Sequence, residues 1–176
     1  MAKLNILVAP DPILKRRAER IDHVDTATRQ LMDDMLETMH AANGIGLAAP
    51  QVGVLKRIIV VDVTAPQEQA AHPYRMANPE IVWRSEDVVT GEEGCLSLPD
   101  QFGEVVRAEK IRVRYLDHEN EIRELEAEGL LARCIQHEID HLEGTLFVDH
   151  LSALKRNIIL RKLSKTKKQQ VLTAAC

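Results

Sequence analysis

The 176-residue chain has no run of 18 or more apolar residues, so no transmembrane helix is expected. Its opening residues, Met1-Ala2-Lys3-Leu4-Asn5-Ile6, lack the apolar stretch of a secretory signal and are too short a lead for a transit peptide. Cysteine is scarce: the three present are an odd number, so a disulfide framework is not expected and at least one thiol is unpaired. A cytoplasmic, reducing setting fits these absences. Internal repeats and linker-like stretches are also missing. What remains is an ordinary globular composition, 45% hydrophobic and 28% charged, of a length that suits one domain with a real core.

Acidic residues are absent from Ser152 to Cys176, where seven basic ones stand: Lys155, Arg156, Arg161, Lys162, Lys165, Lys167 and Lys168. The rest of the chain carries the other sixteen Lys and Arg against all 27 Asp and Glu, so a basic tail follows an acidic body. Such a tail suits a polyanionic partner; a solvated helix face that keeps the protein soluble is the plainer alternative.

The most informative stretch is Gln136-His137-Glu138-Ile139-Asp140-His141-Leu142-Glu143-Gly144, which contains H-E-x-x-H. On a helix, residues four apart share a face and lie about 6 Å apart along the axis. His137 and His141 can thus aim two imidazoles at one ion, with Glu138 close enough to reach a water there. Apolar flanks (Leu130, Leu131, Cys134 and Ile135 before it, Leu142, Leu146 and Phe147 after it) argue against an exposed polar helix that happens to hold two His.

In chain order, Asp11-Pro12 starts a turn or two of helix. Asp25 or Thr26 caps a stronger helix with Leu31, Met35, Leu36 and Met39 on its apolar face, ended by Asn43-Gly44. Gly44 to Gln51 is small-residue sequence without helical or strand periodicity. It reads as a loop that lets the backbone approach a ligand, with the Gln51 amide as a possible donor. Lys56 to Asp62 is a buried strand. Arg75 to Trp83 and Glu86 to Thr90 are further strands, with an irregularity at Asn78-Pro79. Ile111, Val113 and Tyr115 mark a half-buried strand, Asp117 to Asn120 a hairpin turn, and Ile122 to Ala127 the return. The motif helix runs from about Gly129 to Leu142 and is closed by Gly144. A last helix starts near Ser152, with Leu151, Leu154, Ile158 and Leu163 inward. This order gives an α+β fold, one domain over residues 1–176 that includes the basic C-terminal helix.

Two His leave a site needing a third ligand. After His141 the only acids are Glu143 and Asp149, too close in sequence to lie on a second packed helix. The pattern H-E-x-x-H-x-x-G-x-x-H has its Gly at Gly144, but Phe147 stands at the final position and cannot ligate. Cys134 is about 10 Å along the axis from His141, too far to share the ion, and reads as a core thiol. Cys176 is terminal. His23, His40, His72, His118 and His150 are isolated candidates. Cys95, in Glu93-Gly94-Cys95-Leu96-Ser97, offers a thiolate; with two imidazoles and a water it would complete an open, catalytic coordination set.

Three stretches together resemble the peptide deformylase family: its motifs G-x-G-x-A-A-x-Q, E-G-C-x-S and Q-H-E-x-D-H-L-x-G are matched by Gly44 to Gln51, Glu93 to Ser97 and Gln136 to Gly144, in order and with fitting spacing. The resemblance implies antiparallel or mixed strands packed around a central H-E-x-x-H helix. It implies hydrolysis of the formyl amide of N-formylmethionyl nascent peptides, giving formate. Cys95, His137 and His141 would be the ligands of one divalent metal, usually Fe²⁺ in the family, with Zn²⁺, Ni²⁺ or Co²⁺ able to take its place. Glu138 would be the general base, and Gln51 and the Leu96 N–H the oxyanion donors. Gly46 would lie against the substrate backbone, and Ile45, Leu130 and Cys134 would line the methionine pocket. Asp140 or Glu93 could orient a ligand or a pocket residue, a structural salt bridge being the equal alternative for Asp140. Because formylated ends emerge at the ribosome, the basic helix becomes a candidate ribosome contact, with no DNA or membrane partner implied. The chain departs from the family's habits at Phe102, where some members have an Arg that holds the peptide, and at Arg133, a place often apolar.

Overall fold

A computed structural model describes residues 2–65 and 67–175. After a 3-10 turn at Pro12–Lys15 come helix α1 (Thr26–Ala41) and strands β1 (Gly46–Ala48), β2 (Ile58–Val61) and β3 (Tyr74–Arg84). Strands β4 (Val88–Cys95), β5 (Leu98–Ala108), β6 (Lys110–Leu116) and β7 (Ile122–Glu128) follow. Helix α2 (Gly129–Leu142), a 3-10 turn at Phe147–His150 and helix α3 (Ala153–Ala175) complete the chain. Five strands form one antiparallel sheet in the order β1-β2-β3-β6-β7, while β4 and β5 make a separate antiparallel ribbon. The architecture is α+β, as the order of the sequence patterns implies.

The unbroken run Ile58-Ile59-Val60-Val61 is buried on both faces of β2. Ile59 and Val61 pack towards Ala132, Cys134 and Ile135 of α2, whereas Ile58 and Val60 pack with Met32, Met35, Leu36 and Met39 of α1. A strand covered on both sides has no polar face to display, hence no alternation. A third cluster joins Leu98 and Val105 of β5 to Phe147, Val148, Ile159 and Leu163. Helix α2 therefore lies between sheet and ribbon, and Cys134 through Glu138 are buried in succession. A stretch of helix buried in succession can carry a site only in the interior.

Local chemistry sets the boundaries. The Asp25 carboxylate accepts from the Thr28 N–H at 2.8 Å and starts α1; Asn43 at φ +57° ends the turn after it. Gly144 sits at φ +74°, and a Cβ there would run into the Lys15 carbonyl. At Asn78-Pro79 the β3–β6 register shifts, since Pro has no N–H for the ladder. Asn78 turns its amide to Ile21, donating to the carbonyl at 2.7 Å and accepting from the N–H at 2.9 Å.

Four details differ from the sequence reading. Residues 46–48 are strand, paired Gly46 to Val61, where a loop was expected; all three are buried, so periodicity had nothing to mark. Strand β5 was not foreseen, because Pro99, Asp100 at φ +60° and Gly103 disguise it. In α1, Met32 takes the core place expected for Leu31, which is half-buried. In α3, Leu154 and Ile158 are 69% and 41% exposed, while Ile159 and Leu163 are buried. That helix holds two i, i+4 apolar pairs, and packing against Phe147 and Val148 selects the second.

Candidate metal centre

The i, i+4 spacing on α2 sets the His137 and His141 rings 5.1 Å apart between centroids, at 67°. Cys95 reaches them from the end of β4, where a register shift at Gly94/Cys95 turns the ribbon. One ligand atom each from Cys95, His137 and His141 lie within 4.8 Å of one another, and Cys95 Sγ is 3.4 Å from His141 Nε2. Tetrahedral bonds of about 2.3 Å to sulfur and about 2.0–2.1 Å to nitrogen would hold such atoms about 3.6 Å apart. The donor set therefore fits one divalent ion.

The electrostatics fit as well. Burial keeps His141 well below the usual imidazole range, with His137 and Arg107 adding to the effect, so it is the neutral form that can ligate. Burial also opposes charge on His137, but its hydrogen bonds to Cys95 and Glu93 and the charges of Glu138 and Cys95 outweigh it. That position calls for positive charge, as a proton or as a metal. Burial, then Glu138 and Glu93, hold the Cys134 thiol well above its ordinary range, which keeps it protonated and a wall rather than a ligand.

Glu138 is buried, and its Oε2 and His141 Nδ1 are buried polar atoms without a partner among the described residues. An unpaired buried polar atom costs about 1–3 kcal/mol. Glu138 Oε1 lies 4.0 Å from His137 Nε2, beside the ligand atoms. Burial pushes the Glu138 carboxyl up to about 7; His137 pulls it down and Glu93 pushes it up. Such a carboxyl can exchange a proton near neutrality.

The other two motifs close the front. Gln51 is buried; its Oε1 accepts from the Ala48 N–H at 2.9 Å, and its Nε2 donates to Ser97 Oγ at 3.0 Å and lies 3.5 Å from Cys95 Sγ. A Cβ on Gly46 would come within 2.5 Å of Glu138 Oε1 and 2.7 Å of Cys134 Sγ. Only glycine lets β1 pass so near the carboxylate. Gly46, Gln51, Cys95, Leu96, His137 and Glu138 line a cleft of about 510 Å³, together with Ile45, Leu130 and Cys134. His141 lies behind it, fully buried. Phe102, 60% exposed, stands at the mouth, and Arg133 forms part of the wall.

Behind the candidate ligands is a network in which Glu93 and Asp140 were expected as orienting residues and Arg107 was not. Glu93 accepts from His137 Nδ1 at 2.8 Å and from Arg107 Nη2 and Nε at 2.8 and 2.9 Å. Arg107 also donates to Asp140 at 2.6 Å, and Asp140 meets His150 Nε2 at 2.8 Å. Glu93 thus contacts the candidate ligand His137 directly and Asp140 stands one step further out. Burial opposes ionisation of Glu93, yet its Arg107 and His137 partners hold it far below the usual carboxylate range. Arg107 is the residue missed, its one signal being a lone basic residue after Val105-Val106. Gln136, the first residue of its motif, has a structural part. It pairs with the Ala108 backbone, accepting at 3.1 Å and donating at 2.9 Å, and so locks α2 to the end of β5. Of the isolated His residues, His40 pairs with Asp62 at 2.8 Å and His150 with Asp140. Neither joins the three-ligand group.

A family model described as polypeptide deformylase matches residues 3–157. A peptide deformylase of Phenylobacterium zucineum is 53% identical over 165 residues, 94% of this chain and 97% of its own length. The crystal structure of peptide deformylase from Ehrlichia chaffeensis superposes with a TM-score of 0.91 at 43% identity, covering 97% of this chain and 99% of that one. The same organism's enzyme in complex with actinonin matches with a TM-score of 0.90 at 46% identity, over 94% and 98% of the two chains.

Proposed function

The chain belongs to the polypeptide deformylase family, metal-dependent hydrolases that remove the N-formyl group from nascent polypeptides, and we propose that Glu138, Gln51 and Leu96 carry out that reaction at an ion held by Cys95, His137 and His141. The observation that supports these roles most is the convergence of one thiol and two imidazoles beside a buried carboxylate with an unpartnered oxygen.

A divalent metal in this set supplies a Lewis acid that makes water acidic near neutral pH. Glu138, in its ionised form, takes the proton of the attacking water and passes it to the leaving amine nitrogen. The Gln51 Nε2–H and the Leu96 N–H donate to the oxygen that gains charge as the formyl carbon becomes tetrahedral. Removing one such donor typically costs about 10²–10³ in rate. Gln51 is prepared for this by the Ala48 N–H, which fixes its amide orientation before substrate arrives. Gly46 presents backbone to the peptide, and Ile45, Leu130 and Cys134 line the methionine pocket. Burial of Gln51 and Glu138 strengthens the charge–dipole interactions that they make.

We further propose Fe²⁺ as the native ion, with Zn²⁺, Ni²⁺ or Co²⁺ able to replace it, because a Cys-His-His set suits several. We also propose the cytoplasm, where nascent polypeptides are made, as its working place. No described helix is long and apolar enough to cross a membrane. The exposed Lys155, Arg161, Lys162, Lys165, Lys167 and Lys168 of α3 make it a candidate for docking on the ribosome. Phosphate contacts would give that binding a steep salt dependence. Charge reversal at Lys165, Lys167 and Lys168 spares the buried Ile159 and Leu163, and should weaken ribosome binding and flatten its salt slope.

The reaction is tested by formate release from formyl-Met-Ala-Ser and acetyl-Met-Ala-Ser, with metal analysis of anaerobically purified protein. Strong preference for the formyl peptide is expected. Equal turnover of the two would point to a broader amidase.

A further inference from the structure

We propose that Arg133 is a positioning residue for His137, acting through Glu93; the proposal rests on the assignment of His137 as a metal ligand. Glu93 has two oxygens and four donors. Oε1 accepts from His137 Nδ1 and Arg107 Nη2, each at 2.8 Å. Oε2 accepts from Arg107 Nε at 2.9 Å and from Arg133 Nη1 at 2.6 Å. Four donors use the full capacity of a carboxylate. With both oxygens held, the carboxylate plane is fixed, and Oε1 stays aimed at the imidazole.

The two arginines hold Glu93 from different elements. Arg107 belongs to β5, so it ties the carboxylate to its own ribbon. Arg133 belongs to α2 and precedes His137 by four residues, on the same face. It ties the carboxylate to the helix that carries the imidazole. The same guanidinium donates to the Val105 carbonyl at 2.9 Å and the Val89 carbonyl at 2.6 Å, which joins α2 to both strands of the ribbon. A lysine could not make this fork.

A second observation supports the arrangement independently. Gly91 of β4 lies under the guanidinium, and a Cβ there would meet Arg133 Cζ and Nε at 3.0 Å. The ribbon leaves out a side chain where the arginine needs room. Arg133 and Glu93 side chains are 14% and 4% exposed, so this is a desolvated contact rather than a surface ion pair. Groups that hold a metal-ligating His in place typically contribute about 10–100-fold in metal affinity.

The test uses the full chain with Zn²⁺ as probe, measuring the dissociation constant by chelator competition and the melting temperature separately. Arg133→Met, which keeps length but not donors, should weaken Zn²⁺ binding by about 10–100-fold. Arg133→Lys should recover part of the loss. Gly91→Val should displace the guanidinium and weaken binding in the same direction, with Arg133 itself unchanged. If Arg133→Met melts lower yet holds Zn²⁺ as the wild type does, Arg133 is a structural staple and the proposal is overturned. If that variant does not fold, Gly91→Val decides: wild-type affinity there overturns it equally. A wild-type chain that binds no Zn²⁺ would mean that the metal assignment itself has failed, and this proposal with it.

Discussion

Replacing Arg107 by Met removes three charge-assisted hydrogen bonds at once: two to Glu93, at 2.8 and 2.9 Å, and one to Asp140, at 2.6 Å. The Arg107 and Glu93 side chains are 5% and 4% exposed, so water cannot take the lost places without opening the core. Glu93 would keep Arg133 and His137, and Asp140 would keep His150. Those remaining partners place the cost at the usual level for a broken buried pair, about 3–5 kcal/mol, rather than above it. For a chain of this size each kcal/mol lowers the melting temperature by about 2–4 °C, so a fall of about 6–20 °C is expected. The loss is not only global. Glu93 would lose the bidentate clamp that aims Oε1 at His137, and Zn²⁺ affinity should fall by about 10–100-fold as well. Calorimetry of the metal-free protein and chelator competition measure the two effects separately. A loss under about 1 kcal/mol, the level of an exposed ion pair, would mean that Arg107 gives no more than a surface charge gives and is no clamp on Glu93.

The remaining expectations follow from the same geometry. Glu138→Gln should retain metal and lose nearly all turnover; wild-type-like formate release would remove Glu138 as the base. A base acts when ionised, so wild-type kcat/KM should rise with pH and level off. Glu138 is pushed up to about 7 by burial, and a nearby dication lowers it, so the limb should fall at or below neutrality. A limb well above pH 7 would count against this assignment. Gly46→Ala should fold but lose activity severely, since the methyl would press on Glu138 Oε1 at 2.5 Å; unaltered kcat/KM would show that β1 can shift without cost. Acid should destabilise the fold through Glu93, whose folded pKa is depressed: its contribution is present above its ordinary 4.5 and is lost as pH falls from there towards the lower folded value. Glu138 works in the opposite sense, since its folded pKa is raised. Unfolding midpoints in the presence and absence of the Arg107 change should therefore differ less at low pH than at pH 7.

What the sequence made legible is what local geometry fixes. His137, Glu138 and His141 share a helix, and a period of 3.6 residues sets their relation without help from the rest of the fold. The cap at Asp25 and the close at Gly144 are likewise readable within a few residues. Phe147 was informative as an exclusion, a position that could not ligate. In the fold it is fully buried and stacked on the His137 ring, 6.3 Å between centroids at 24°, so the residue that closes one ligand option packs against a candidate ligand. Arg107 was not legible because its meaning depends on register. In the ribbon Val89 pairs with Arg107 and Glu93 with Gly103, which puts Glu93 and Arg107 on one face. A slip of one residue would turn Arg107 to the other face and leave Glu93 with Arg133 and His137 alone. The spacing on α2 therefore sets two candidate ligands, while the β4–β5 register sets which groups reach the Glu93 carboxylate beside one of them. A change that alters the ribbon's pairing far from the cleft, near Val88 or Ala108, should weaken metal binding without touching a ligand.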